Sequence, residues 1–126
     1  MSTAWHDLRP SLYPDPYVFV FAQVPEVPPG ISGGPGPFAV IREDEGTTLV
    51  LTQAQADRLG LPYGYLAARI TLTIGSDLPA IGLTAEVSRV LAQAGISCNV
   101  IAGLAHDHLF VDFERGPEAL GLLERL

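Results

Sequence analysis

The chain has no lysine. Its seven basic residues are all arginines, scattered from Arg9 to Arg125 against fourteen acidic residues, for a formal charge of -7. Without a basic stripe, phosphate neutralisation cannot drive association, so nucleic acid is excluded as a partner. Cysteine is reduced to Cys98, which rules out an internal disulfide and a cysteine-built zinc site. On an apolar strand face this thiol is expected to pack as a small hydrophobe rather than to react. No apolar run approaches the ~20 residues of a membrane helix, and no charged leader with an apolar segment precedes the fold. The expectation is a soluble cytoplasmic protein with no membrane partner.

Catalytic signatures are missing too. There is no Gly-x-Ser-x-Gly elbow, phosphate-cradling glycine loop or zinc-protease histidine pair. The acidic run Glu43-Asp44-Glu45 falls at a hairpin tip, where carboxylates are solvated rather than tuned for acid-base work. No enzyme activity and no cofactor are expected.

What the chain does have is a 48% hydrophobic composition over 126 residues, enough for one compact domain or two very small ones with a modest core. An arm from Ser2 to Pro16, interrupted by Pro10, Pro14 and Pro16, allows only a short helix around Thr3 to Leu8. Tyr17-Val18-Phe19-Val20-Phe21-Ala22 is apolar on both faces, as in a central strand covered on two sides. Prolines and glycines then dominate from Pro25 to Pro37, a loop. Phe38 to Ile41 and Thr47 to Leu51 form a hairpin turned by Glu43 to Gly46. Thr52 and Gln55 have the capping-box spacing for a helix that stops at Gly60.

The stretch from Arg69 to Phe113 spells out strand, helix, strand and strand. Arg69-Ile70-Thr71-Leu72-Thr73-Ile74 alternates with period two, placing Ile70, Leu72 and Ile74 inward and Arg69, Thr71 and Thr73 outward. Leu83, Val87, Val90, Leu91 and Ala94 recur at helical spacing, and Gly95 is positioned as a left-handed stop. Ile96, Cys98 and Val100 share a face of the next strand, and Leu109, Val111 and Phe113 a face of the last. Gly116-Pro117 opens a final helix whose Leu120, Leu123 and Leu126 point inward.

The run Gly82-Leu83-Thr84-Ala85-Glu86-Val87-Ser88-Arg89-Val90-Leu91-Ala92-Gln93-Ala94-Gly95-Ile96-Ser97 resembles the core of an ACT domain, in which a glycine opens the first helix and Ala-Gly-Ile closes it. The resemblance is best over Arg69 to Phe113. Ile96 to Ala102 with His106 to Val111 further resembles small bacterial tandem-ACT proteins related to the regulatory region of aspartate kinases. In place of the family's Asp-x-Pro-Gly stands Pro79-Ala80-Ile81-Gly82, with Asp77 further upstream. The implied fold is α+β: two ferredoxin-like, ACT-type halves with antiparallel sheets and helices on one face. The halves are expected at residues 1–66, with the first helix replaced by the Pro/Gly loop, and 67–126. An ACT domain has one more strand after its last helix, and the chain ends without it. A strand from the first half or from a second copy would fill the place.

The loop from Gly75 to Gly82 is the candidate site. Helix N-terminal N–H groups can receive a carboxylate, Gly82 permits close approach, and Ser76 and Asp77 can meet an α-amino group. The competing reading makes Ser76 or Asp77 a helix cap and Gly82 a turn residue. The resemblance implies a ligand held between paired ACT units, extending the candidate set to Leu78, Ile81 and Leu83 and, on the second strand, to Asn99, Val100 and Ile101. His106 and His108 project the same way from an extended strand and can face that pocket. Two imidazoles are too few for closed zinc, so exposed hairpin histidines are expected rather than a metal site.

The combined expectation is a regulatory ACT protein that binds an amino acid or similar metabolite and acts through rearrangement of a homodimer or of an effector protein. A ligand-free assembly module of the same fold is the alternative, and an enzyme using His106 or His108 as acid or base a third.

Overall fold

The computed structural model describes residues 8–22, 36–73 and 82–126. Their elements run β1 (Pro10–Leu12), β2 (Tyr17–Ala22), β3 (Ala39–Glu43), β4 (Gly46–Thr52), α1 (Gln53–Leu59), β5 (Ala67–Leu72), α2 (Leu83–Gln93), β6 (Cys98–Ala102), β7 (Asp107–Asp112), a 3-10 turn (Phe113–Arg115) and α3 (Gly116–Glu124). The fold is α+β, with antiparallel pairing throughout the registers given below. The chain divides into two compact units, Asp15–Leu66 and the combination of Met1–Pro14 with Ala67–Leu126.

In the unit Asp15–Leu66, β4 pairs with β2 from Tyr17↔Thr52 to Ala22↔Thr47 and with β3 from Ala39↔Val50 to Glu43↔Gly46. Only Asp44 and Glu45 are left to turn the hairpin, and the Thr48 hydroxyl bonds the Glu43 carboxylate beside it. Alternation sends Val18, Val20, Leu49 and Leu51 to one face, where they pack on Ala56 of α1. The expected capping box is present: Gln55 N–H donates to Thr52 Oγ1 at 3.2 Å, and Thr52 N–H to Gln55 Oε1 at 2.9 Å. Gly60, at φ 69°, ends the helix. Its N–H and that of Leu61 return to the Asp57 and Ala56 carbonyls at 3.2 and 2.9 Å, the paired bonds of a Schellman stop. Most of the expected Pro/Gly loop lies outside the described residues. Its end is fastened to α1, because Gln55 Nε2 donates to the Gly36 carbonyl at 2.7 Å.

In the other unit the strand order is β1-β5-β7-β6. β1, from the first part of the chain, pairs antiparallel with β5. Pro10↔Leu72 and Leu12↔Ile70 fix its register, and bonds from Thr73 N–H to Leu8 O and from Tyr13 N–H to Arg69 O, both 3.0 Å, continue the pairing at either end. The N-terminal arm is therefore more than a lead-in. Thr3 to Asp7 of the expected short helix lie outside the described residues, and Leu8 is non-helical and buried in the core.

Ala68, Ile70, Leu72, Leu109 and Val111 meet Val87 and Leu91 of α2 and Ala119 and Leu123 of α3 in one core. Each fully buried aliphatic side chain stabilises the fold by ~1.5–3 kcal/mol. α2 ends as expected at Gly95, φ 76°, with Gly95 N–H on Ala92 O and Ile96 N–H on Leu91 O, both 2.9 Å. The opposite face of β5 departs from the simple outward reading: Thr71 is buried and Arg69 half-buried, because both are engaged in a polar row described below.

Candidate functional site

Of the residues expected to receive a ligand, Ser76, Asp77, Leu78 and Ile81 lie outside the described residues. Gly82 is the N-cap of α2, with φ 100° and no side-chain hydrogen bond closing the helix end. That backbone conformation is one only glycine adopts without strain. α1 closes its own N-terminus through Thr52, whereas α2 presents the N–H groups of Leu83, Thr84 and Ala85 with no such side chain from Gly82. The acid of the first turn among the described residues, Glu86, is turned along the helix into a two-pronged pair with Arg89, at 3.0 and 2.7 Å. The Arg89 bond holds the Glu86 carboxyl below its ordinary range. The first turn of α2 therefore keeps the positive end of its dipole largely unopposed by its own carboxylate.

The remaining candidates separate by strand alternation. Leu83 and Val100 pack against the core beneath α2. Asn99 and Ile101 point to the other face of the sheet, Asn99 opposite Phe110 and Ile101 opposite His108. The two sets do not share one side of the unit. The imidazoles are half-buried rather than exposed, with ring centroids 6.3 Å apart. His106 Nδ1 lies 3.0 Å from the Leu72 carbonyl. A carbonyl can only accept, so this nitrogen carries the proton. The bond ties the β6–β7 turn to the end of β5, from which the loop toward Gly82 departs.

His108 meets a side chain instead. Its Nδ1 is 2.9 Å from Thr71 Oγ1, which itself accepts from Arg69 Nε at 3.0 Å. In a neutral ring protonated at Nε2, His108 Nδ1 accepts the Thr71 hydroxyl proton, while Thr71 Oγ1 still accepts from Arg69. Burial, then the Arg69 charge and then His106 hold the His108 pKa below its ordinary value, against the weaker pull of Asp107. Arg69 also lies 3.8 Å from the Tyr13 ring centroid. The result is a row, Tyr13, Arg69, Thr71, His108, running from the residue after β1 across β5 to β7. Sequence reading singled out His108 but missed its partners, because only the β5–β7 register, Thr71↔His108, brings them together.

Among the described residues no cluster of three or more His, Cys, Asp or Glu side chains could hold a metal ion. No helix among them is long and apolar enough to cross a membrane. Cys98, on β6, has its thiol pushed up to about 11 by burial, which keeps it protonated and a poor nucleophile.

With this geometry established, comparison with known proteins is decisive for family. The ACT domain family profile matches residues 2–68, more than half of the sequence. The chain belongs to the ACT domain family. The profile falls on the first part of the chain, while the helix-closing motif that resembles the family lies in Arg69–Phe113. A solved Vibrio cholerae protein of unknown function, described as a possible transport protein, is 42% identical, with 93% of this chain and 87% of that one covered and a TM-score of 0.81. The ligand-free regulatory subunit of Thermus thermophilus aspartate kinase shares the fold at 12% identity and a TM-score of 0.58, over 92% of this chain and 95% of that one. Escherichia coli aspartokinase III, solved with aspartate and ADP, matches at 17% identity and a TM-score of 0.56, over 93% of this ACT chain but 32% of the kinase. No curated protein matches.

Proposed function

We propose that this ACT protein is a regulatory module that binds an amino acid at the segment entering α2 and passes occupancy on through rearrangement of a homodimer or an effector protein. The observation that carries the reading is the open N-terminus of α2: Gly82 takes a left-handed conformation without a side-chain cap, and Glu86 is drawn off by Arg89. A ligand carboxylate fits such an end. Ser76 and Asp77, just upstream in sequence, supply a hydroxyl and an anion for the α-ammonium group. His106, tied to Leu72 at the root of the same segment, and Asn99 and Ile101, on the face of β6 away from the core-packed Val100, form the other candidate wall. The fold shared with an aspartate kinase regulatory subunit, and with an aspartokinase solved with aspartate, supports an acidic or small amino acid as the first ligand to try. Regulation would follow from differential affinity, the ligand favouring one arrangement of ACT units over another.

A thermal-shift series against the twenty amino acids at two protein concentrations tests this. A ligand at a hundred times its Kd adds ~2.7 kcal/mol to stability, so the expected outcome is a rise of several degrees with one amino acid, lost in Asp77→Ala. No shift with any amino acid, but a melting temperature that climbs with protein concentration, would replace the sensor with a ligand-free assembly module.

A further inference from the structure

A second concavity lies away from this segment, at the other end of β5. It is a cleft of about 490 Å³ between β1 and the start of α3, walled by Leu12, Tyr13, Pro14, Phe113 and Pro117, with the buried Ala68 beneath. Its size falls in the range of small-molecule sites, ~300–1,000 Å³. Ala68 and Leu72 are four residues apart on one strand, so at ~3.3 Å per residue the cleft is on the order of 13 Å from the root of the α2-entering loop. The two can be occupied independently.

The walls are held in place by their own packing. A Cβ on Gly116 would stand 2.9 Å from Ala68 Cβ and 3.2 Å from Leu12 Cδ1, so the first turn of α3 already lies as close to β1 and β5 as atoms allow. This contact sets Phe113 and Pro117 beside Leu12 and Tyr13. The cleft is thus a product of tight packing at its base rather than a loosely closed gap.

Its chemistry selects a sign of charge. Glu114 is the single charged side chain among the described lining residues. Its neighbour Arg115 is directed elsewhere, to the Ala94 and Gly95 carbonyls and to Glu118. Tyr13 and Phe113 add aromatic rings, whose faces attract cations. Tyr13 already makes such a contact with Arg69 at 3.8 Å, and Arg69 is not among the described residues that line the cleft. The net charge of -7 further favours cations over anions near the surface.

We propose that this cleft binds a small organic cation, an amine on a flat apolar body, with the body against Tyr13, Phe113 and Leu12 and the ammonium group at Glu114. Apolar burial supplies most of the affinity, and the carboxylate supplies the preference for positive charge. An exposed ion pair contributes ~0.2–1 kcal/mol, so the preference is about 1.4- to fivefold in Kd rather than orders of magnitude.

The test uses the full chain and two probes of one shape and opposite charge, phenethylamine and phenylacetate, titrated in amide-resolved NMR. The expected result is that phenethylamine shifts the amides of Leu12, Tyr13, Ala68 and Phe113, that it binds about 1.4- to fivefold more tightly than phenylacetate, and that Glu114→Gln removes the difference. Tyr13→Ala should weaken both probes while the remaining spectrum reports an intact fold. Equal binding of the two probes, tighter binding of phenylacetate, shifts confined to other residues, or no shift at millimolar probe would each overturn the proposal. Because the readout is local to the cleft residues, its failure is independent of the amino-acid screen.

Discussion

The guanidinium of Arg115 donates through Nη1 to the Gly95 carbonyl at 2.9 Å, while its Nη2 reaches the Ala94 carbonyl at 3.0 Å. Gly95 is where α2 stops, and its end therefore has two locks. One is the Schellman pair formed by the backbone, and the other is a cation delivered from the turn before α3, suited to the negative end of the helix dipole. The same guanidinium also pairs with Glu118 at 2.9 Å, but Glu118 is half exposed and that contact is worth little in water. Arg115→Met should cost ~1–2 kcal/mol in urea unfolding, since charged hydrogen bonds are lost while much of the stem is kept. Glu118→Gln should change stability by less than ~0.5 kcal/mol. Equal losses for the two would mean that the ion pair, and not the helix end, carries the effect.

Much of this architecture is legible in the sequence because it is local. Thr52 and Gln55 at capping-box spacing, Gly60 and Gly95 as helix stops, and the alternation of Ile70 with Leu72 each act within a few residues. Those features appear in the structure as expected. Pairings that join distant residues are another matter. That β1 lies beside β5 depends on Leu12 meeting Ile70, and nothing in Pro10-Ser11-Leu12, with Pro14 two residues on, marks it as a strand. Likewise Thr71 and His108 each read as ordinary alternating residues until register places them 2.9 Å apart. For the candidate site, alternation alone separated Asn99 and Ile101 from Val100, whereas Gly82's role at the head of α2 was visible in its motif.

Gly116 should not tolerate even one extra carbon. Its φ of -55° is helical and acceptable to any residue, so alanine would gain from helix propensity by up to ~1 kcal/mol if space were open. Space is closed, with Ala68 Cβ at 2.9 Å from the added atom. Gly116→Ala is therefore expected to destabilise the protein by ~1–3 kcal/mol, measured by chemical denaturation. A stabilised variant would mean that α3 slides freely over β5, contrary to the packing described.

Cys98 should be slow to alkylate. With its thiol pushed up to about 11 by burial, the thiolate fraction at pH 8 is on the order of 0.001, against about 0.2 for a free cysteine. Iodoacetamide at that pH should label the folded protein about a hundredfold more slowly than the urea-unfolded chain. Comparable rates in the two states would show a thiol in open solvent and would remove it from the face it shares with Val100.

His108 gives the protein a dependence on mild acid whose sign follows from its surroundings. Burial and the Arg69 charge depress its pKa in the fold, so below the ordinary imidazole value of ~6.5 the unfolded chain binds the proton more readily than the native one. The contribution of neutral His108 is fully present above that value and is lost as pH falls through it toward the depressed native pKa. An NMR titration of the His108 ring should give a midpoint below ~6.5. Arg69→Met should move it upward by removing the facing charge, and Thr71→Val should free Nδ1 from the hydroxyl that donates to it. A midpoint at or above the ordinary value, unmoved by Arg69→Met, would mean that Thr71 accepts from a charged ring and that the proton order along the row runs the other way.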